Sequence, residues 1–191
     1  NYSVDAIAAA LPAGIASFAL ISFFMGLTNY TNAFVAQYTG ARRNDRVAAV
    51  MWQGIYLSLI SALLLACFYF AAERLFDLIG HSPDVRNLEV TYFKILTLGA
   101  GLTVLGSTLA CFYTGRGLTQ PVMFVHLAGA LFNIPLDYCL IYGIGPLPPL
   151  GITGAGIATV LSTGLVVILF CLMIFGPTNE KRFGLRRHRA L

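Results

Sequence analysis

The chain has 191 residues, of which 58% are hydrophobic and 10% charged, with a net charge of +4. A soluble domain is about a quarter charged, so this chain has too little polar surface to clothe a water-soluble fold. The composition excludes that class and identifies an integral membrane protein, for which no nucleic-acid partner is expected.

A membrane helix needs roughly 20 mostly apolar residues and should not carry unpaired charge through lipid. The stretches between Asp5 and Arg42, Arg46 and Glu73, Lys94 and Arg116, and Arg116 and Asp137 are uncharged, as is the stretch from Asp137 to Glu180. The last is too long for one helix, and the Gly/Pro run GIGPLPPLGITG divides it. These limits predict five spans, near residues 11–38, 48–72, 91–114, 121–143 and 152–175. Period-2 alternation is absent, so a transmembrane barrel is not expected. Backbone satisfaction in lipid then leaves an all-α polytopic fold.

The first span carries GLTNYTNAFVAQYTGA, dense in Thr, Asn and Gln. Tyr30, Ala33 and Gln37 share one helical face and Thr28, Asn32 and Val35 another, so at least one face must look into protein or water. The third span places Thr103, Ser107 and Thr114 on one stripe. Such stripes serve helix packing or line a cavity. For the cavity the candidates are Tyr30, Asn32, Gln37, Thr103 and Ser107.

The fourth span is the most informative. In PVMFVHLAGALFNIPLDYCLIYG, Asp137 is the one charged residue between Arg116 and Glu180. A carboxylate in hydrocarbon is a functional hypothesis by default. His126, Asn133 and Asp137 are spaced to form one polar stripe, and Pro135 is expected to free the carbonyl of Leu131 and kink the helix. A carboxylate, an amide oxygen one turn away and a loosened carbonyl are hard oxygen ligands suited to a small cation such as sodium, placed about 9 Å from the outer end. His126 is about 16 Å from Asp137 along the axis, too far to share a metal. It is expected to be a packed, hydrogen-bonded histidine near the cytoplasmic end. In the fifth span Gly151, Ala155 and Thr159 have small-xxx-small spacing, which predicts close packing on a neighbour with Thr159 buried and its hydroxyl free as a further ligand.

Nine of the twelve basic residues fall in GARRNDR, in the turn containing Arg116 and in EKRFGLRRHR. By the positive-inside rule these face the cytoplasm and ERLFDLIGHSPDVRNLE faces out. Residues 177–191 read as a basic cytoplasmic segment after a membrane domain spanning 1–176. The chain opens on Asn1 and has no basic leader, so it is expected to be a piece of a longer protein. Cys67, Cys111, Cys139 and Cys171 make no CxxC pattern and are expected to be packing residues.

In order and spacing, FVAQYTGARRNDR, CFYTGRGLTQPVMF, FNIPLDYCLIYG and LGITGAGIATVLSTG resemble the multidrug and toxic compound extrusion (MATE) transporters. The resemblance runs over nearly the whole chain and implies helices two to six of an amino-terminal lobe, part of a twelve-helix transporter of two six-helix lobes. It implies an antiporter with no cofactor, exporting small organic cations or drugs by alternating access in exchange for sodium or protons, in a bacterial inner membrane. It maps a cation site onto Asp137, Asn133 and Thr159. The first helix and the carboxy-terminal lobe are missing from this chain, and Leu118 stands where many relatives have a polar residue.

A flippase or polysaccharide exporter of the same superfamily is the runner-up, disfavoured because the spans lack the Arg and Lys that phosphate head groups call for. A membrane-embedded enzyme would need convergent catalytic groups, which one Asp and a distant His do not supply. A purely structural subunit leaves Asp137 unexplained.

Overall fold

The fold is given by a computed structural model that describes residues 4–144 and 148–187. Among these residues every regular element is helical. The helices are α1 (Val4–Thr28), α2 (Tyr30–Gly40), α3 (Asn44–Cys67), α4 (Ala72–Ile79), α5 (Pro83–Thr114), α6 (Thr119–Tyr142), α7 (Gly151–Ile174) and α8 (Pro177–Phe183). A 3₁₀ turn, Phe68–Ala71, joins α3 to α4.

Five stretches are long and apolar enough to cross a membrane: Val4–Gly40, Asn44–Ile79, Pro83–Thr114, Thr119–Tyr142 and Gly151–Ile174. The number agrees with the sequence expectation. The ends of the second and third do not: they run on to Ile79 and back to Pro83, well past the predicted limits of 72 and 91. Charge persists in these extensions because it is paired. Glu73 takes a 2.7 Å bond from Lys94, and Asp77 a 2.5 Å bond from Arg86. Between them, Gly80 closes α4 in the left-handed region (φ 78°) and Pro83 opens α5 at a position where its missing N–H costs nothing. The long first stretch is jointed at Asn29, where α1 stops and α2 begins. By contrast α6 runs unbroken through Pro135.

Helix α5 is the axle. It packs on α1, α3 and α7, and its most apolar segment is 61% buried, against 17% for the corresponding segment of α6. Missing side chains permit the close approaches. A Cβ on Gly99 would collide with Val160 of α7, one on Gly101 with Ala62 of α3, and one on Gly156 would lie 2.9 Å from Ile95. Helix α6 leans mainly on α7, where a Cβ on Gly129 would come within 2.5 Å of Val166. The small residues of α7 that meet neighbours are Gly154, Gly156, Ala158 and Ser162. The expected line of Gly151, Ala155 and Thr159 is displaced from this seam, and Thr159 is exposed.

The turns 41–43 and 115–118 lie at one end of the bundle, the basic end, and the turn 80–82 and the α6–α7 connection at the other. Residues 145–147 of the Gly/Pro run and His188 and Arg189 of the basic tail lie outside the described residues. At the basic end the chain after α7 turns back onto the bundle. Phe183 and Leu185 are buried, and Trp52 Nε1 donates a 2.7 Å hydrogen bond to the Leu185 carbonyl. The Arg116 guanidinium lies 4.5 Å from the Phe112 ring centre and 4.7 Å from that of Phe183. Burial, and then the charge of Arg182, pull its pKa below the ordinary arginine value. The aromatic faces partly compensate its lost hydration.

Candidate functional site

The polar residues of the first and third spans divide by what they meet. Ser107 Oγ donates to Asn29 Oδ1 at 3.4 Å, and Thr114 Oγ1 donates to Asn32 Oδ1 at 2.7 Å. These bonds tie the α1–α2 joint to α5, the helix-packing use of such stripes. Asn32 bonds α5 in this way, while Tyr30 and Gln37 are exposed on α2, and none of the three lines the cavity between α1, α5, α6 and α7. Thr103 and Ser107 instead line a cavity of about 390 Å³ between α1, α5, α6 and α7.

Asn133 and Thr159 open onto this same cavity, from α6 and α7. His126 lines it further toward the basic end, with its ring edge-on to Phe170 at 5.7 Å. It is exposed rather than sealed in a core. Asp137 sits one turn beyond Asn133, whose side chain lies beside its carboxyl. Its other notable feature is a deficit: Oδ1 is buried and has no hydrogen-bond partner. A buried acceptor left bare is costly, so the local structure holds an oxygen ready for a proton or a cation.

Tyr92, which the sequence reading did not single out, completes the cluster. It lies on α5, beside Thr159 and within electrostatic reach of Asp137. Thr159 Oγ1 also donates to the Ala155 carbonyl at 3.0 Å, so it has a lone pair free for the Tyr92 hydroxyl or a cation. Three helices thus bring one carboxylate, one amide and two hydroxyls into one cluster. Asp137 is about 8 Å from its helix end, Thr159 about 12 Å and Tyr92 about 14 Å, all measured from the end opposite the basic loops. No group of three or more His, Cys, Asp or Glu able to hold a metal occurs among the described residues. This donor set is all oxygen, which fits a hard cation or a proton rather than a transition metal.

Glu89 was also missed, because the sequence limits left it in the outer loop. It is fully buried on α5, where Oε1 accepts a 2.7 Å hydrogen bond from His81 Nδ1 and Oε2 has no partner. The available signal was the apolar face of Val85, Tyr92 and Phe93, which continues through position 89.

The comparisons with known proteins agree with this architecture. The family model described as MatE matches residues 1–139. The chain is 34% identical over 167 residues to the multidrug resistance protein PmpM of Pseudomonas aeruginosa, covering 82% of this chain and 35% of that protein. It is 28% identical over 162 residues to a probable multidrug resistance protein NorM of Mannheimia succiniciproducens, covering 85% and 35%. Among solved structures, a MATE protein in the bent conformation superposes with a TM-score of 0.79 at 26% identity, covering 92% of this chain and 38% of that one. An outward-facing multidrug resistance MATE family transporter of the MOP superfamily gives 0.85 at 24% identity. The chain spans about a third of the length of the curated relatives it matches. The family is one of transporters, not of enzymes. With a family model covering most of its length and five spans folded like those of the solved members, this chain belongs to the MatE family.

Proposed function

We propose that this chain forms part of a cation-coupled exporter of organic cations or drugs, and that Asp137, Asn133 and Thr159 hold the coupling ion, sodium or a proton. Tyr92 belongs to the same site. One observation carries the reading: an intramembrane carboxylate with a buried, unpartnered oxygen, beside an amide and a threonine hydroxyl that open onto a cavity. The relatives named as multidrug resistance proteins support drug-type cargo.

In this mechanism Asp137 alternates between a cation-bound or ionised form and a protonated form. Occupation of the site from outside displaces cationic substrate, and rocking of the lobe presents the site to each face in turn. The membrane potential contributes about 2.3 kcal/mol per charge per 100 mV. Residues 1–176 then act as the partial lobe, with 177–191 on the cytoplasmic side of a bacterial inner membrane. The remaining helices needed for transport lie outside this chain.

The cavity presents no Arg or Lys, which weighs against a phosphate-bearing lipid or polysaccharide precursor as cargo. In the intact transporter, Asp137→Asn should abolish coupled efflux while leaving membrane insertion and yield unchanged. Dye efflux at the parental rate in that variant removes the role assigned to Asp137.

A further inference from the structure

We infer that Glu89, reached through His81, is a second proton-binding carboxylate at the end opposite the basic loops, and that it supplies the Asp137 site. This deepens the function proposed above and depends on it.

Three acidic side chains of this end are paired, and only one of them is buried. Glu73 and Asp77 are exposed and are held by Lys94 and Arg86, cations that keep their charge. Glu89 has no exposure at all, and its partner is an imidazole, whose two ring nitrogens can each donate or accept. The His81 side chain is itself 40% exposed, so it touches both the outside and the buried carboxyl. Oε2 of Glu89 is buried and bare, so the carboxylate lacks a second donor.

Position matters as much as pairing. Glu89 lies about 9 Å from its helix end, one turn nearer that end than Tyr92 at about 14 Å. Tyr92 stands one turn further along α5 from Glu89. It packs against the α1 clusters containing Ala9 and Ala13 and is within electrostatic reach of Asp137. The other charged groups around Glu89 are few. Helix α1 offers Asp5, the 3₁₀–α4 segment Glu73, Arg74 and Asp77, and α5 itself Asp84, Arg86 and Lys94; described residues of α7 offer none, and α6 offers Asp137. Asp5, Arg74 and Asp84 are exposed, and the part-buried cations Arg86 and Lys94 are paired with Asp77 and Glu73.

The transfer balances simply. A proton from outside binds His81 Nε2, and the imidazolium passes its Nδ1 proton to Glu89 Oε1. His81 is left neutral with its proton on Nε2, and Glu89 becomes a neutral acid. Delivery inward past Tyr92 returns Glu89 to the carboxylate and adds one proton to Asp137. Glu89 is a loading residue in this scheme, and the site for the coupling ion stays at Asp137.

The test uses the full-length transporter in proteoliposomes at fixed internal pH, with external pH varied and dye exchange followed for the parent, Glu89→Gln, His81→Gln and Asp137→Asn. Glu89→Gln and His81→Gln should bind dye as the parent does but shift the external-pH profile of exchange by about one unit or more, a tenfold change in proton requirement. Asp137→Asn should show no exchange at any pH. If both loading variants overlay the parent while Asp137→Asn is dead, the inference is overturned and the exporter reading stands. Exchange that follows sodium and ignores external pH has the same consequence. If Asp137→Asn exchanges normally, the exporter reading fails first. Should a loading variant not fold, infrared difference spectra of the purified parent between acid and alkaline pH decide the point. Isotope-labelled glutamate must show a protonated carboxyl band that reports Glu89, and a carboxylate that never takes a proton over that range overturns the inference.

Discussion

Helices α5 and α6 are both apolar and span-length, yet they do opposite work. Every neighbour crowds α5, and its buried hydroxyls are satisfied locally: Thr108 donates to the Val104 carbonyl at 3.0 Å and shares a 2.7 Å bond with Ser58 of α3. Helix α6 touches mainly α7 and leaves most of its surface open, yet it carries the acid whose oxygen is bare. The contrast teaches that a membrane lobe separates a closely packed axle, whose mid-helix hydroxyls are bonded, from a lightly held helix that keeps an unmet carboxylate oxygen. Stability should therefore respond to substitutions in the packed seams, and transport to substitutions facing the cavity.

The largest stability effect is expected where α6 and α7 meet. A Cβ at Gly154 would sit 2.5 Å from the Leu140 carbonyl oxygen, a backbone atom with nowhere to go. Gly154→Ala should cost about 1–3 kcal/mol by overpacking, seen as a lower thermal midpoint in detergent. Gly164→Ala on the same helix meets only the Leu102 side chain at 3.8 Å and should leave that midpoint in place. Equal losses in the two variants would erase the distinction between seam and open face.

A second experiment compares adjacent residues on α5. Thr108→Val strands the Ser58 hydroxyl partner and should cost about 0.6–1.7 kcal/mol, the range of membrane hydrogen bonds. Ser107→Ala, one position on, faces the cavity and gives up only a 3.4 Å bond. It should leave the midpoint near the parent value and alter dye efflux instead. A third probes the basic end: Arg116→Ala empties the cage formed with Phe112 and Phe183 and should lose about 0.5–2 kcal/mol. Proteolysis near α8 should accelerate in the same variant. The smallest effect is expected from Glu73→Gln, whose exposed pair with Lys94 should give no resolvable change in the midpoint.

The spans were legible because charge is scarce, and the scarcity is itself the thermodynamic signature of lipid. Their outer ends were not, because a charge was taken as the end of a helix. Glu73, Asp77, Arg86 and Lys94 neutralise one another across two helices, and such pairing is invisible to a linear reading. Asp137 and Asn133 could be found since they break an apolar stripe by themselves. Tyr92 could not, since a tyrosine near a span boundary looks like an interfacial anchor and its link to Thr159 is a tertiary fact. Small-residue spacing on α7 gave the period of the seam but not its phase, so Thr159 was expected inside the contact and stands beside it. The same limit applies to Tyr30, Asn32 and Gln37, where the joint at Asn29 rotates α2 and sends its polar groups toward α5 or outward.

The Leu150 N–H donates a 3.0 Å hydrogen bond back to the Leu140 carbonyl, and Gly143 turns the chain between them in the left-handed region (φ 72°). Helices α6 and α7 are in this way riveted close to the level of Asp137. Toward the far tip the same two helices meet through the Gly129–Val166 contact and the His126–Phe170 ring pair, so the seam beside Asn133, Asp137 and Thr159 is held from both directions.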